Sequence, residues 1–74
     1  LFYDRMNKLE TGRQIFAQIK AHIYETGAGM RANKFPPDFP ISRQSCYNIR
    51  NGIWTAELLE KLPFKVTVEY KIEF

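Results

Sequence analysis

The side chains best equipped for chemistry crowd into one short stretch, ISRQSCYNIRNG, at residues 41–52. Arg43 ends in a planar fork of donors, and Gln44 and Asn48 end in amides that donate and accept at once. Ser42, Ser45 and Tyr47 add hydroxyls, and Arg50 closes the stretch with a second guanidinium. Ile41, Cys46 and Ile49 are the apolar positions that would fasten this segment to a core, leaving the polar groups outward. A helix that only needs to stay soluble usually carries Glu and Lys instead. The plain alternative is that Arg43, Gln44 and Asn48 form a solvated helix face and nothing more.

Other chemistries find little support. The one histidine, His22, and the one cysteine, Cys46, lie 24 residues apart. They belong to different predicted helices, with no carboxylate pair, glycine-rich phosphate loop or ligand cluster beside them. His22 falls between Ile19 and Ile23 and reads as a partly exposed helix residue; Cys46 reads as a small core residue. The expectation is no enzyme, no metal and no cofactor or small-molecule ligand. A lone cysteine also excludes an intrachain disulfide. With no signal-peptide pattern and no apolar run near the ~20 residues of a membrane span, the expected setting is cytoplasmic.

The elements that must position the stretch follow from local patterns. Thr11 to Gln14 (TGRQ) has capping-box spacing, and Ile15, Phe16, Ile19 and Ile23 keep helical spacing up to Gly27. This predicts a helix over 12–26, preceded by a short LFY strand and a polar connection from Asp4 to Glu10. The prolines of FPPDFP forbid a long helix over 30–40, where one helical turn at Met30–Phe35 or Pro37–Phe39 fits, with Phe35 and Phe39 as buried anchors. Ser42 caps a helix through Arg50, and Asn51-Gly52 ends it in a left-handed turn. Thr55 caps TAELLEKL, whose Leu58, Leu59 and Leu62 face a core, and Trp54 plugs that core. From Phe64 to Phe74, apolar and polar residues alternate strictly, the pattern of a half-buried strand.

The chain has 74 residues, enough for one small domain that buries roughly 60% of its unfolded surface. Its net charge of +3 is unevenly spread. Residues 1–54 carry eight Lys and Arg against four Asp and Glu, and residues 55–74 carry three against four. Such an excess suits a polyanion without requiring one. The terminal strand needs a partner, because a lone strand is unstable. The LFY segment or the same strand of a second copy would serve, and a homodimer is the preferred expectation.

Residues 41–62 resemble the helix-turn-helix of the Cro/phage-repressor (XRE-type) family. Ile41 and Ser42 match the residues that open the family's recognition helix. Cys46 and Ile49 match its buried positions, Asn51-Gly52 its end, and Leu58, Leu59 and Leu62 the leucines of the next helix. The chain departs from the family at FPPDFP, where members have a regular helix.

The resemblance implies a mainly α (α+β) fold: a single helix-turn-helix domain over 1–74, its motif at about 30–51, with a C-terminal dimerisation strand at about 64–74. It further implies sequence-specific binding of double-stranded DNA by a small transcriptional regulator, with helix 42–51 in the major groove. Arg43, Gln44 and Asn48 would read base edges, since Arg pairs with guanine and Gln or Asn with adenine. Ser42 and Ser45 would reach a base or phosphate, and Tyr47 a phosphate or thymine methyl. Asn51, the amides around Gly52, and Arg31, Lys34 and Arg50 would hold phosphates. The competing expectation is a degenerate helix-turn-helix that docks a protein through its C-terminal strand.

Overall fold

The first helix is already formed at Lys8, ahead of the start at residue 12 that the capping-box pattern predicts. In this computed structural model, which describes residues 8–67, α1 spans Lys8–Glu25. Thr11 and Gly12 therefore lie inside a helix and are buried, and residues 8–10 are helical rather than a polar connection. Gly12 costs a helix about 1 kcal/mol relative to alanine. A close approach requires it here, for a Cβ at Gly12 would stand 1.9 Å from the carbonyl oxygen of Ile49. Past that crossing Ile15, Ile19 and Ile23 recur every four residues and are fully buried. Each such side chain contributes about 1.5–3 kcal/mol by leaving water. The Thr26 hydroxyl donates to the Ile23 carbonyl, and Gly27, at φ +84°, ends the helix as expected.

Between α1 and the next helix the backbone makes isolated turns only. Phe35 N donates to Arg31 O at 2.8 Å, a single helical turn, and Phe39 N donates to Pro36 O at 3.3 Å. Pro36, Pro37 and Pro40 stop either turn from propagating. Phe35 and Phe39 meet edge to face at 5.6 Å between centroids, half-buried over the core rather than fully inside it. Residues 30–42 thus hold no helix of the kind a regular helix-turn-helix places there.

The second helix, α2, is Arg43–Arg50, with Ser42 as its cap: the Ser45 amide donates to the Ser42 hydroxyl at 3.1 Å. Cys46 and Ile49 are buried against α1, as expected. Gly52, at φ +83°, turns the chain beneath the first turn of α1, where a Cβ would lie 3.2 Å from the Leu9 backbone. Trp54 then plugs the core. Its indole N–H donates to the Lys8 carbonyl at 3.0 Å, while Lys8 Nζ donates to the Trp54 carbonyl at 2.7 Å. These reciprocal bonds tie the start of α1 to the far side of α2.

Thr55 caps α3, Ala56–Glu60, by accepting from the Leu58 amide at 3.3 Å. This helix is shorter than the leucine pattern implies; Leu58 and Leu59 are half-buried and only Leu62 is buried. After Pro63, Phe64 packs on His22 and Thr67 exchanges both backbone hydrogen bonds with the Gln18 side chain. Residues 64–67 therefore run back along α1, with Phe64 and Val66 turned inward and Lys65 and Thr67 outward. Alternation survives there in burial, yet no strand forms among the described residues. The rest of the predicted strand, 68–74, and the predicted LFY strand lie outside the described residues. The architecture is a compact, mostly helical domain whose core is the α1–α2 contact, closed by Trp54 and Leu62.

Candidate nucleic-acid interface

With Cys46 and Ile49 turned inward, helical periodicity divides the rest of α2 into distinct aspects. Gln44 and Asn48, one turn apart, point away from the core. Arg43, Tyr47 and Arg50 share the flank next to α1. No acidic residue occurs anywhere in α2.

The outward aspect is a pair of amides. Gln44 Nε2 donates to Asn48 Oδ1 at 3.1 Å, Gln44 exposed and Asn48 half-buried. The contact leaves the Gln44 carbonyl and the Asn48 NH2 as an acceptor and a donor facing out, the complement that adenine edges require. At the N-terminal end Ser42 and Ser45 hydroxyls are 2.9 Å apart and partly reserved for the cap. Of the hydroxyls assigned to base or phosphate contact, these two already stabilise the helix.

The flank differs in kind. Arg43 Nε donates to the Met30 carbonyl, and the guanidinium carbon sits 5.0 Å from the Tyr47 ring centroid. Tyr47 lies 5.4 Å from Phe16 of α1, and the Arg50 guanidinium covers Phe16 at 5.7 Å. Arg43 is therefore half-buried and anchored, not extended from the helix as a free base reader would be. Tyr47 borders the core and keeps its ring centroid 5.0 Å from the Arg43 guanidinium carbon.

The remaining residues scatter. Arg31 and Lys34 are exposed on the turn before α2. Asn51 is exposed, but the amides of its turn are engaged with the helix they follow. Asn51 N donates to Tyr47 O, Gly52 N to Ile49 O, and Ile53 N to Asn48 O at 2.8 Å. A phosphate would find those donors occupied, because the Gly52 turn folds back to satisfy the last carbonyls of α2.

Cys46 is inert where it sits: burial pushes its thiol from 9.0 up to about 11, against a smaller opposing pull from a backbone hydrogen bond. The His22 ring is held between Phe39 at 6.5 Å and Phe64 at 5.1 Å, half-buried as its helical position predicts. No helix among the described residues is long and apolar enough to cross a membrane.

The Arg43–Tyr47–Phe16–Arg50 ladder is the part of this surface that sequence reasoning missed. Its signal was present in the spacing, since Arg43, Tyr47 and Arg50 fall at i, i+4 and i+7. Phe16, read only for its helical spacing with Ile15, Ile19 and Ile23, carried no mark of the contact between the helices. No family model matches this chain, and no curated protein or solved structure matches it. The resemblance to the Cro/phage-repressor family rests on residues 41–62 alone.

Proposed function

We propose that the domain binds double-stranded DNA in a sequence-specific manner, with α2 in the major groove, and acts as a small transcriptional regulator. The observation that carries this reading is the outward amide pair, Gln44 and Asn48, on a capped helix without a single carboxylate. Breaking their mutual hydrogen bond frees both amides to pair with adenine N6 and N7. Each good pair discriminates by about 1–3 kcal/mol. Arg43 contributes charge from the flank, and the Ser42 cap holds the N-terminal end rigid. In this reading the turns at Arg31–Phe35 and Pro36–Phe39 stand in for the regular helix that a helix-turn-helix places before its recognition helix. Two copies joined about a two-fold axis would set their α2 helices in successive grooves, about 34 Å apart. Regulation by occupancy of the site is the simplest mode for a domain of this size.

The test is enrichment of bound duplexes from a random library at about 0.15 M salt, where non-specific attachment is weak. The expected result is an inverted repeat with half-sites one helical turn apart. A single ungapped motif would keep DNA reading and remove the two-fold dimer. No enriched motif would overturn sequence-specific reading and favour the protein-docking alternative. For that alternative the described part of the C-terminal segment offers little, because Phe64 and Val66 already face the core.

A further inference from the structure

A strip of cations and rings crosses from α2 to α1 without a break. It runs from Arg43 through Tyr47 and Phe16 to Arg50, each neighbour within 5.7 Å of the next ring centroid. One turn along α1 from Phe16, Lys20 repeats the motif, its Nζ 5.8 Å from the Tyr24 ring. Lys34 joins the same end: a Cβ placed on Gly29 would meet Tyr24 Cε1 at 3.5 Å and Lys34 Cβ at 3.6 Å. Among the described residues no carboxylate pairs with Lys20, Lys34, Arg43 or Arg50.

We propose that this strip is a clamp for the phosphodiester backbone of one DNA strand, with Arg43 and Arg50 as its principal donors and Lys20 as its extension on α1. The proposal rests on the DNA reading of α2 and moves the phosphate contacts away from the Asn51–Gly52 turn. Charge complementarity selects the occupant. Like charges held side by side repel; Arg50 can turn its N–H edge to phosphate oxygens, and Arg43, whose Nε is given to the Met30 carbonyl, has its two terminal NH2 groups for them. Arg43 and Arg50 are seven residues apart, about 10 Å along the helix. That span suits a series of anions rather than one, and a DNA strand presents a charge about every 3.4 Å of its axis. The rings hold both arginines before the partner arrives, so less side-chain freedom is lost on binding. The strip also lies one helical aspect away from Gln44 and Asn48. A backbone seated along it brings the adjoining groove under the amides.

The experiment measures affinity for a random-sequence duplex against salt concentration for the wild type, Arg50→Gln, Lys20→Gln, the double variant, and Gln44→Ala/Asn48→Ala. Both clamp residues are exposed, so the melting temperature should hold. Each clamp substitution is expected to lower the slope of log affinity on log salt by about 0.9, equally on every sequence. The amide variant should keep the wild-type slope. An unchanged slope in Arg50→Gln/Lys20→Gln overturns the clamp, and if a motif is nevertheless enriched the α2 reading survives it. Salt-sensitive retention that the clamp variants reduce, with no enriched motif, supports the clamp and removes sequence reading. No salt-sensitive retention of the wild type overturns both.

Discussion

The outward face of α2 and its flank beside α1 are made of comparable side chains held in opposite ways. Gln44 and Asn48 are joined by one exposed hydrogen bond that water or a ligand can replace at little cost. Arg43 is held by a backbone carbonyl and the Tyr47 ring, and Arg50 lies over Phe16, the two rings meeting at a tilt from different helices. On the proposed DNA reading, the difference lets one short helix separate two tasks. Groups that read must be able to exchange partners. Groups that set register gain from being placed in advance. The flank can be placed because it sits over the tightest part of the fold, where Gly12 lets α1 lie against the carbonyl of Ile49.

Removing that support should erase the comparison altogether. Ile49→Ala empties a fully buried position under both aspects and should cost 2–5 kcal/mol, roughly, in denaturant unfolding. Gly12→Ala should be of similar severity, since its Cβ meets backbone rather than a movable side chain. A melting temperature within a degree or two of wild type in either variant would contradict the packing described here.

Gln44→Ala with Asn48→Ala sharpens the comparison instead. Stability should change by less than about 1 kcal/mol, since Gln44 is exposed and Asn48 half-buried, while discrimination between DNA sequences falls by about 1–3 kcal/mol per lost pair. Competition binding with single-base variants of an enriched site would measure it. Equal discrimination in the variant would show that the outward amides read nothing.

A smaller effect is expected at the helix start. Ser42→Ala removes the acceptor for the Ser45 amide and should cost about 1 kcal/mol. Hydrogen exchange at Arg43, Gln44 and Ser45 should quicken, with Ile49 protected as before. Phe16→Leu probes the flank more gently. Loss of the ring contact with Tyr47 should cost about 0.5–1.5 kcal/mol beyond burial and release Arg50, visible as faster side-chain dynamics.

Alkaline titration addresses the ground beneath both faces. The thiol of Cys46 titrates near 11 in the folded protein and near 9.0 when free. Between those values the unfolded chain loses its proton while the folded one keeps it. The stabilising contribution is thus complete below pH 9.0 and is lost as pH rises toward about 11. Cys46→Ala should flatten that part of the stability profile. A profile identical to wild type would mean the thiol is less buried than its position indicates.

Features decided within a few residues were legible in the sequence. The Ser42 and Thr55 caps, the glycines after α1 and α2, and the isoleucine stripe of α1 depend on local hydrogen bonding and periodicity, and the structure has them. What depends on distant partners was not. TGRQ has the letters of a capping box, yet residues 8–11 are already helical, and Gly12 answers instead to the close approach of the Ile49 carbonyl. The ladder escaped notice for the same reason: it alternates between two helices that are far apart in the chain. The alternation after Phe64 reported which side chains face inward, but alternation alone does not create a strand, and Thr67 pairs with a glutamine side chain instead.

The most direct test of the central claim uses the side-chain amides themselves. Nitrogen-15-labelled protein would be titrated with the duplex that selection enriches, following the NH2 resonances of Gln44 and Asn48. Gln18, whose amide is held by the Thr67 backbone, serves as the internal reference. The prediction is that Gln44 and Asn48 move together and saturate with the duplex while Gln18 stays in place. Unmoved Gln44 and Asn48 at saturation would contradict the claim that α2 faces DNA.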